Sequence, residues 1–87
     1  MDDSHMLDHL EALAHQLGIE VRYENLESEI VFGSRGGLCR VRDKQVVIIS
    51  TTVDVGEKTR TLGRALKRFD LSRHYIRPAL RDFLERV

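Results

Sequence analysis

One stretch of the sequence, Val46 to Ile49, is apolar and β-branched at all four positions, and it constrains the fold more than any other stretch. β-branched residues fit the pleated surface of a strand, and an uninterrupted apolar run indicates a strand that is at least partly covered on both faces. The run therefore predicts a central strand. A short polar turn and a second apolar stretch precede it, so we expect an antiparallel hairpin of 38–42 with 45–50.

Three other stretches carry apolar residues at three- and four-residue spacing, which is the period of an amphipathic helix. They predict a first helix over about 5–17, a second over 55–69, and a third that begins near Pro78. Asp54 and Glu57 stand three residues apart at the start of the second helix, in the arrangement of a capping pair.

Between the first two helices the apolar period falls to two, which is typical of half-buried strands. Residues 19–24 alternate in this way, and a short β-branched and aromatic run indicates a further strand near 29–33. The order α-β-β-β-α-α predicts a single α+β domain over 6–87, with a small antiparallel sheet of three to four strands packed by three helices. We interpret residues 1–5 as the remnant of an expression tag or a disordered N-terminus.

Composition and length exclude several classes of protein. The chain of 87 residues is 41% hydrophobic and has no formal net charge, whereas disordered chains combine low hydrophobicity with high charge. No apolar run approaches the ~20 residues that cross a bilayer, so we expect no membrane partner. The single cysteine cannot form an internal disulfide, which is typical of a cytoplasmic protein. No cofactor-binding motif is present in the sequence, so no cofactor is expected.

The formal neutrality conceals an uneven distribution of charge. Residues 1–34 hold eight acidic residues and one basic residue, whereas residues 35–87 hold 13 basic and six acidic residues. A nucleic-acid backbone is attracted to a cationic helix face. The pI of 6.9 and the missing DNA- and RNA-binding signatures favour instead a solvated face balanced by the acidic third. Four cations lie on one face of the second predicted helix, opposite its apolar stripe: Arg60, Arg64, Lys67 and Arg68.

Cys39 is a candidate reactive thiol because Arg40 and Arg42 flank it and cations stabilise a thiolate. A catalytic cysteine also needs a base, and His74, the only histidine outside the first predicted helix, is not placed beside it by any feature of the sequence. A cysteine on a strand is more often a small buried residue. The histidines are too scattered along the chain to form a metal-binding motif.

Two segments, 39–49 and 57–69, resemble the core of the small zinc-peptidase-like family associated with phage-repressor cleavage and stress-response regulation. In that family a hairpin strand is followed by a helix that carries H-E-x-x-H. When the second predicted helix is aligned with the helix of that family, the positions of the two zinc-binding histidines and of the glutamate base correspond to Ala65, Leu66 and Phe69. These three residues neither bind zinc nor transfer a proton. The resemblance implies a sheet-and-helix unit that has lost its metal site. The chain is also similar to uncharacterised small bacterial proteins with a Gly-Gly-Leu-Cys-Arg segment.

These observations favour a non-enzymatic protein-interaction or homo-oligomerisation module, whose partner is another protein or a second copy of the chain. The apolar C-terminal helix supports this hypothesis, because so small a domain has little other surface to cover it. Two alternatives remain open: a nucleic-acid-binding domain that uses the Arg-rich face of the second helix, and a Cys39-dependent enzyme or redox sensor.

Overall fold

A computed structural model describes residues 2–25 and 36–87, and it confirms the α+β class. The further strand predicted near 29–33 lies outside the described residues. In chain order the elements are α1 (Asp3–Gln16), β1 (Glu20–Glu24), β2 (Gly36–Val41), β3 (Lys44–Ser50), α2 (Val55–Leu66) and α3 (Pro78–Arg86).

Aspartate caps begin the first two helices. The Asp54 carboxylate accepts a hydrogen bond from the Glu57 backbone N–H at 2.8 Å, which satisfies an N–H group that has no partner within the helix. Asp2 accepts from the His5 N–H at 2.9 Å in the same way, so α1 begins two residues earlier than predicted. α3 starts with proline, whose missing N–H is not needed in the first turn.

The second helix is shorter than predicted and ends at Leu66 rather than at residue 69. Beyond Leu66 the backbone tightens into i→i+3 hydrogen bonds, from Arg68 N to Ala65 O at 3.3 Å and from Phe69 N to Leu66 O at 3.1 Å. Phe69 still packs against the core, but from a turn. Arg68 therefore lies outside the helix on whose cationic face it was predicted to lie.

The sheet is mixed, with the strand order β1-β3-β2. β2 and β3 form the predicted antiparallel hairpin, with Leu38 opposite Val47. The prediction of a wholly antiparallel sheet is wrong, because β1 runs parallel to β3 and places Val21 beside Val47. β3 lies between β1 and β2, so β1 pairs with a strand that does not follow it directly along the chain.

The central strand carries the core. Val47 and Ile49 are fully buried and pack with apolar residues of all three helices, including Leu10 of α1 and Leu62 of α2. Val46 points to the opposite face of the sheet and is also fully buried, so both faces of β3 are covered at this position. The burial of this strand explains its β-branched sequence.

α3 packs closely on α2 at a glycine. Leu80 and Leu84 of α3 are each 5% exposed, and the ring of Phe83 lies over Gly63 of α2. A Cβ atom at Gly63 would stand 2.7 Å from Phe83 Cε2, which is closer than carbon atoms approach without a shift of one of them. The chain therefore covers most of the apolar face of its own C-terminal helix.

This contact predicts that Gly63→Ala lowers the free energy of unfolding by about 1–3 kcal/mol, because the added methyl group overpacks the junction with Phe83. In a Phe83→Ala background the same change should stabilise by up to about 1 kcal/mol, since alanine is the better helix former. Urea unfolding of the four proteins in this double-mutant cycle measures the reversal of sign. An equal effect of Gly63→Ala in both backgrounds would contradict the described packing.

Candidate functional site

The four cations predicted to share a helix face are exposed but do not act as one cluster. Arg60 Nη2 lies 3.1 Å from Glu57 Oε1, one turn earlier on α2, and forms an ion pair with it. Lys67 Nζ donates to the Val87 carbonyl oxygen at 2.6 Å, on the side of α2 that faces α3. Lys67 and Arg68 follow the end of α2, so only Arg60 and Arg64 of the four lie within the helix.

Arg64 and Arg68 lie together on a groove between α2 and the beginning of β2. Within the described residues, neither side chain forms a hydrogen bond or an ion pair. Gly37 has a φ of +147°, so glycine is strongly favoured at the point where the strand approaches the groove. The groove has a volume of about 320 Å³ and is lined by Gly37, Leu38, Glu57, Thr61, Arg64, Ala65 and Arg68.

A second hollow opens on the other side of the turn that follows α2. It has a volume of about 390 Å³, and Lys67 and Arg81 flank an apolar floor. Leu71, Ile76 and Leu84 form that floor, and Leu84 and Ile76 also belong to the main core. This hollow combines an apolar surface with two exposed cations and the exposed carboxylate of Glu85.

A third, smaller hollow of about 170 Å³ lies between α1 and the segment that leads into α3. Tyr75 and Arg77 line it from that segment, and His9 lines it from α1. Arg77 Nη1 approaches His9 Nε2 at 3.4 Å, a long hydrogen bond in which the guanidinium donates.

The three hollows are lined in part by neighbouring stretches of the chain. Lys67 of the second hollow is the chain neighbour of Arg68 in the first, and Ile76 of the second is the neighbour of Tyr75 in the third. Each hollow carries at least one exposed cation. The C-terminal basic surface consists of these five residues: Arg64, Lys67, Arg68, Arg77 and Arg81.

The cations of the C-terminal region are not neutralised by direct contact. Residues 64–87 hold seven basic residues and three acidic residues. Within the described part of the chain, none of these seven cations forms an ion pair with an aspartate or glutamate side chain, and Lys67 alone among them donates to the Val87 oxygen. An exposed cation without a counterion is available to an anionic ligand.

The acidic residues of the N-terminal part have local partners instead. Arg22 hydrogen-bonds Glu20, and Lys44 Nζ lies 3.3 Å from Glu20 Oε1; both contacts lower the pKa of this carboxyl group. The Tyr23 hydroxyl donates a hydrogen bond to Glu11. The pKa of Glu11 is raised mainly by burial and to a smaller extent by the negative charge of Asp8. Glu11 and Glu20 are therefore engaged near the N-terminal elements and form no hydrogen bond or ion pair with the cations of residues 64–87 in the described structure.

Tyr75 is the most exposed large hydrophobic side chain that the structure describes, at 85%. It is not among the residues predicted to form a site, although it stands between Arg73 and Arg77 in a stretch without helical or strand periodicity. The interleaving of aromatic and basic residues in this stretch is the sequence feature that could have identified Tyr75 as a candidate binding residue.

Cys39 lies half-buried on β2, opposite Val46 of β3. No hydrogen bond within residues 2–25 and 36–87 joins it to His74, whose backbone N–H donates to Leu71 O at 3.1 Å in the loop before α3. The structure does not bring the thiol and this histidine together.

The positions that resemble zinc ligands lie inside the protein. Ala65 is 5% exposed and Leu66 is fully buried, and Phe69 packs against the same core. In the part of the chain that the structure describes, no three histidine, cysteine or carboxylate side chains come together in a group that would hold a metal ion.

Comparison with family models, with curated proteins and with solved structures finds no match to this chain. None of the helices in the described residues has the length and apolar character that a bilayer crossing requires.

Ala65, Leu66 and Phe69 stand where the resemblance would place zinc ligands and a catalytic base, and none of them binds zinc. We therefore predict that zinc does not stabilise the fold. Protein freed of any His-tag should contain no stoichiometric zinc in elemental analysis. Its melting temperature should be the same with and without a chelator, because a structural metal stabilises only the state that binds it. Stoichiometric zinc whose removal lowers the melting temperature would contradict this prediction.

Proposed function

We propose that this protein is a non-catalytic module that binds nucleic acid through the C-terminal basic surface. The observation that carries the proposal is that none of the seven cations from Arg64 to Arg86 pairs with an aspartate or glutamate side chain in the described structure, and that five of them line three hollows. A chain of phosphates is a ligand whose charge is spread over several such positions.

The first groove supplies the strongest phosphate contacts. Arg64 and Arg68 present guanidinium groups, which can each donate two parallel hydrogen bonds to a phosphate. Gly37 has no side chain on the opposite wall, and Thr61 adds a hydroxyl group. Glu57 also lines this groove, but its carboxylate is engaged by Arg60, which reduces its repulsion of an anion.

The formal neutrality of the chain is compatible with such a ligand. Glu20 and Glu11 are engaged within the N-terminal half and do not contact the C-terminal basic surface in the described residues. At about 0.1 M salt, exposed charges more than about 10 Å apart are largely screened from each other. A phosphate close to Arg64 and Arg68 therefore responds mainly to those two cations.

The proposal predicts that the protein binds a fluorescein-labelled oligonucleotide at low salt, and that Arg64→Gln combined with Arg68→Gln weakens this binding. Each phosphate contact to a single strand contributes a slope of about −0.7 to the dependence of log K on log salt. The double variant should therefore lower the magnitude of the slope by roughly 1.4. Fluorescence anisotropy across a salt series measures both quantities.

The matched control is Arg40→Gln combined with Arg42→Gln. It removes the same charge from two exposed residues at the hairpin end of β2, away from the groove. The control should keep the affinity and slope of the unchanged protein, and circular dichroism verifies that both variants fold. Equal losses for the two pairs, or no binding by the unchanged protein at low salt, would overturn the proposal.

A protein-interaction or homo-oligomerisation module is the second candidate, and one observation favours it. Tyr23 on β1 and Val41 on β2 are each 40% exposed on the two outer strands of the sheet, and Val55 at the start of α2 is 39% exposed. The buried face of α3 no longer supports this candidate, since Leu80 and Leu84 are covered within the chain.

This second candidate predicts a dimer that a charge on an outer strand disrupts. Sedimentation velocity should show dissociation in Val41→Lys, while Tyr75→Lys, a charge added outside the sheet, should leave the association unchanged. A monomer at every concentration tested, which also captures no protein partner, would exclude the candidate.

A further inference from the structure

Tyr75 stands apart from the other aromatic and large aliphatic side chains of the described structure. Its residue is 85% exposed, whereas Tyr23 and Val41, the next most exposed, reach 40%. Burial of an aromatic ring is among the larger sources of folding energy, and Tyr75 contributes almost none of it. The ring is therefore available to a ligand.

The backbone around Tyr75 is held in place. Its neighbour Ile76 is 5% exposed and packs in the main core, and α3 begins two residues later at Pro78. Before it, Ser72 N donates to Asp70 Oδ1 at 3.0 Å and forms a turn closed by a side chain. A ring presented from an anchored segment loses little conformational entropy when it binds.

The hollow beside the ring has the chemistry of a site for a nucleobase. Leu13 and Leu80 lie at its base, and Gln16 and Arg77 stand at its edge with hydrogen-bonding groups. A base has a flat π-face that stacks on aromatic rings, and an edge of donors and acceptors. The volume of about 170 Å³ is small, as expected for one planar group rather than a helix of nucleic acid.

We infer that the nucleic acid is single-stranded, and that one unpaired base stacks on Tyr75 beside Arg77 while its phosphates continue toward the cations of the other two hollows. This inference rests on the proposed function and specifies its ligand. In a duplex the bases are stacked on each other and are not free to lie on a protein ring, so the Tyr75 contact is available only to a single strand.

The test compares Tyr75→Ala and Tyr75→Phe with the unchanged protein on single-stranded DNA and RNA of one sequence and on the matching duplex. Stacking on one base predicts that Tyr75→Ala weakens single-strand binding by about 5- to 150-fold, whereas Tyr75→Phe keeps it. Neither change should alter the salt slope, because no charge is removed. Duplex affinity should change less than about twofold, since no base is free to stack.

An abasic oligonucleotide separates stacking from simple attraction to a polyanion. It retains the phosphates but has no bases, so its affinity should be the same for Tyr75→Ala and the unchanged protein. Intrinsic fluorescence gives a direct readout, because the chain has two tyrosines and no tryptophan. In a Tyr23→Phe background, the oligonucleotide with bases should quench the remaining emission and the abasic one should not.

Failure of the inference is distinguishable from failure of the proposed function. Loss of binding in the Arg64 and Arg68 variant, with full single-strand affinity in Tyr75→Ala and no quenching of Tyr75 in the Tyr23→Phe background, would overturn the stacking inference and leave the basic surface in place. Equal sensitivity of abasic and normal strands to Tyr75→Ala would also overturn it. No binding of any oligonucleotide by the unchanged protein would overturn both.

Discussion

The pairing of β3 along both of its edges is the constraint on which the rest of the described structure depends. β2 pairs with one edge and β1 with the other, and Val47 and Ile49 then meet the three helices on one face. α2 lies over this strand and over β2, and that position creates the groove that holds Arg64 and Arg68. The proposed binding surface, which is made of exposed residues, thus depends on a strand most of whose residues are buried.

Charge is separated in this fold by the order of its elements. α1 and β1 carry five acidic residues and one basic residue, and two of the acidic residues, Glu11 and Glu20, interact with Tyr23, Arg22 and Lys44. The elements after β3 carry most of the basic residues, and their apolar faces are used in packing α2 and α3 against the core. The cations are consequently left on the outer surface. A net charge of zero therefore says little about the potential that a ligand meets.

Much of the fold was predictable because it follows from local periodicity. The apolar run at 46–49 identified the central strand, and the capping pair of Asp54 and Glu57 placed the start of α2. The direction of β1 was not predictable, since it depends on a pairing between strands that are not consecutive. The end of α2 was missed because the apolar spacing continues to Phe69, which reaches the core from a turn.

The candidate site was also predictable only in part, because periodicity along the chain does not determine contacts between side chains. Helical spacing grouped Arg64 with Arg68, but the contacts of Arg60 with Glu57 and of Lys67 with Val87 depend on side-chain geometry. The exposure of Tyr75 depends on the burial of its neighbour Ile76, and no periodic pattern at that point of the sequence indicates which of the two faces inward.

The central claim is that nucleic acid binds at the three hollows of the C-terminal basic surface and not elsewhere on the described surface. Titration of an isotopically labelled sample with a single-stranded oligonucleotide, followed by NMR, tests it residue by residue. The account predicts chemical-shift changes at Gly37 and along the segment from Arg64 to Arg81, which diminish as salt is added. Changes centred on β1 and on the turn between β2 and β3, with the segment from Arg64 to Arg81 unaffected, would contradict it.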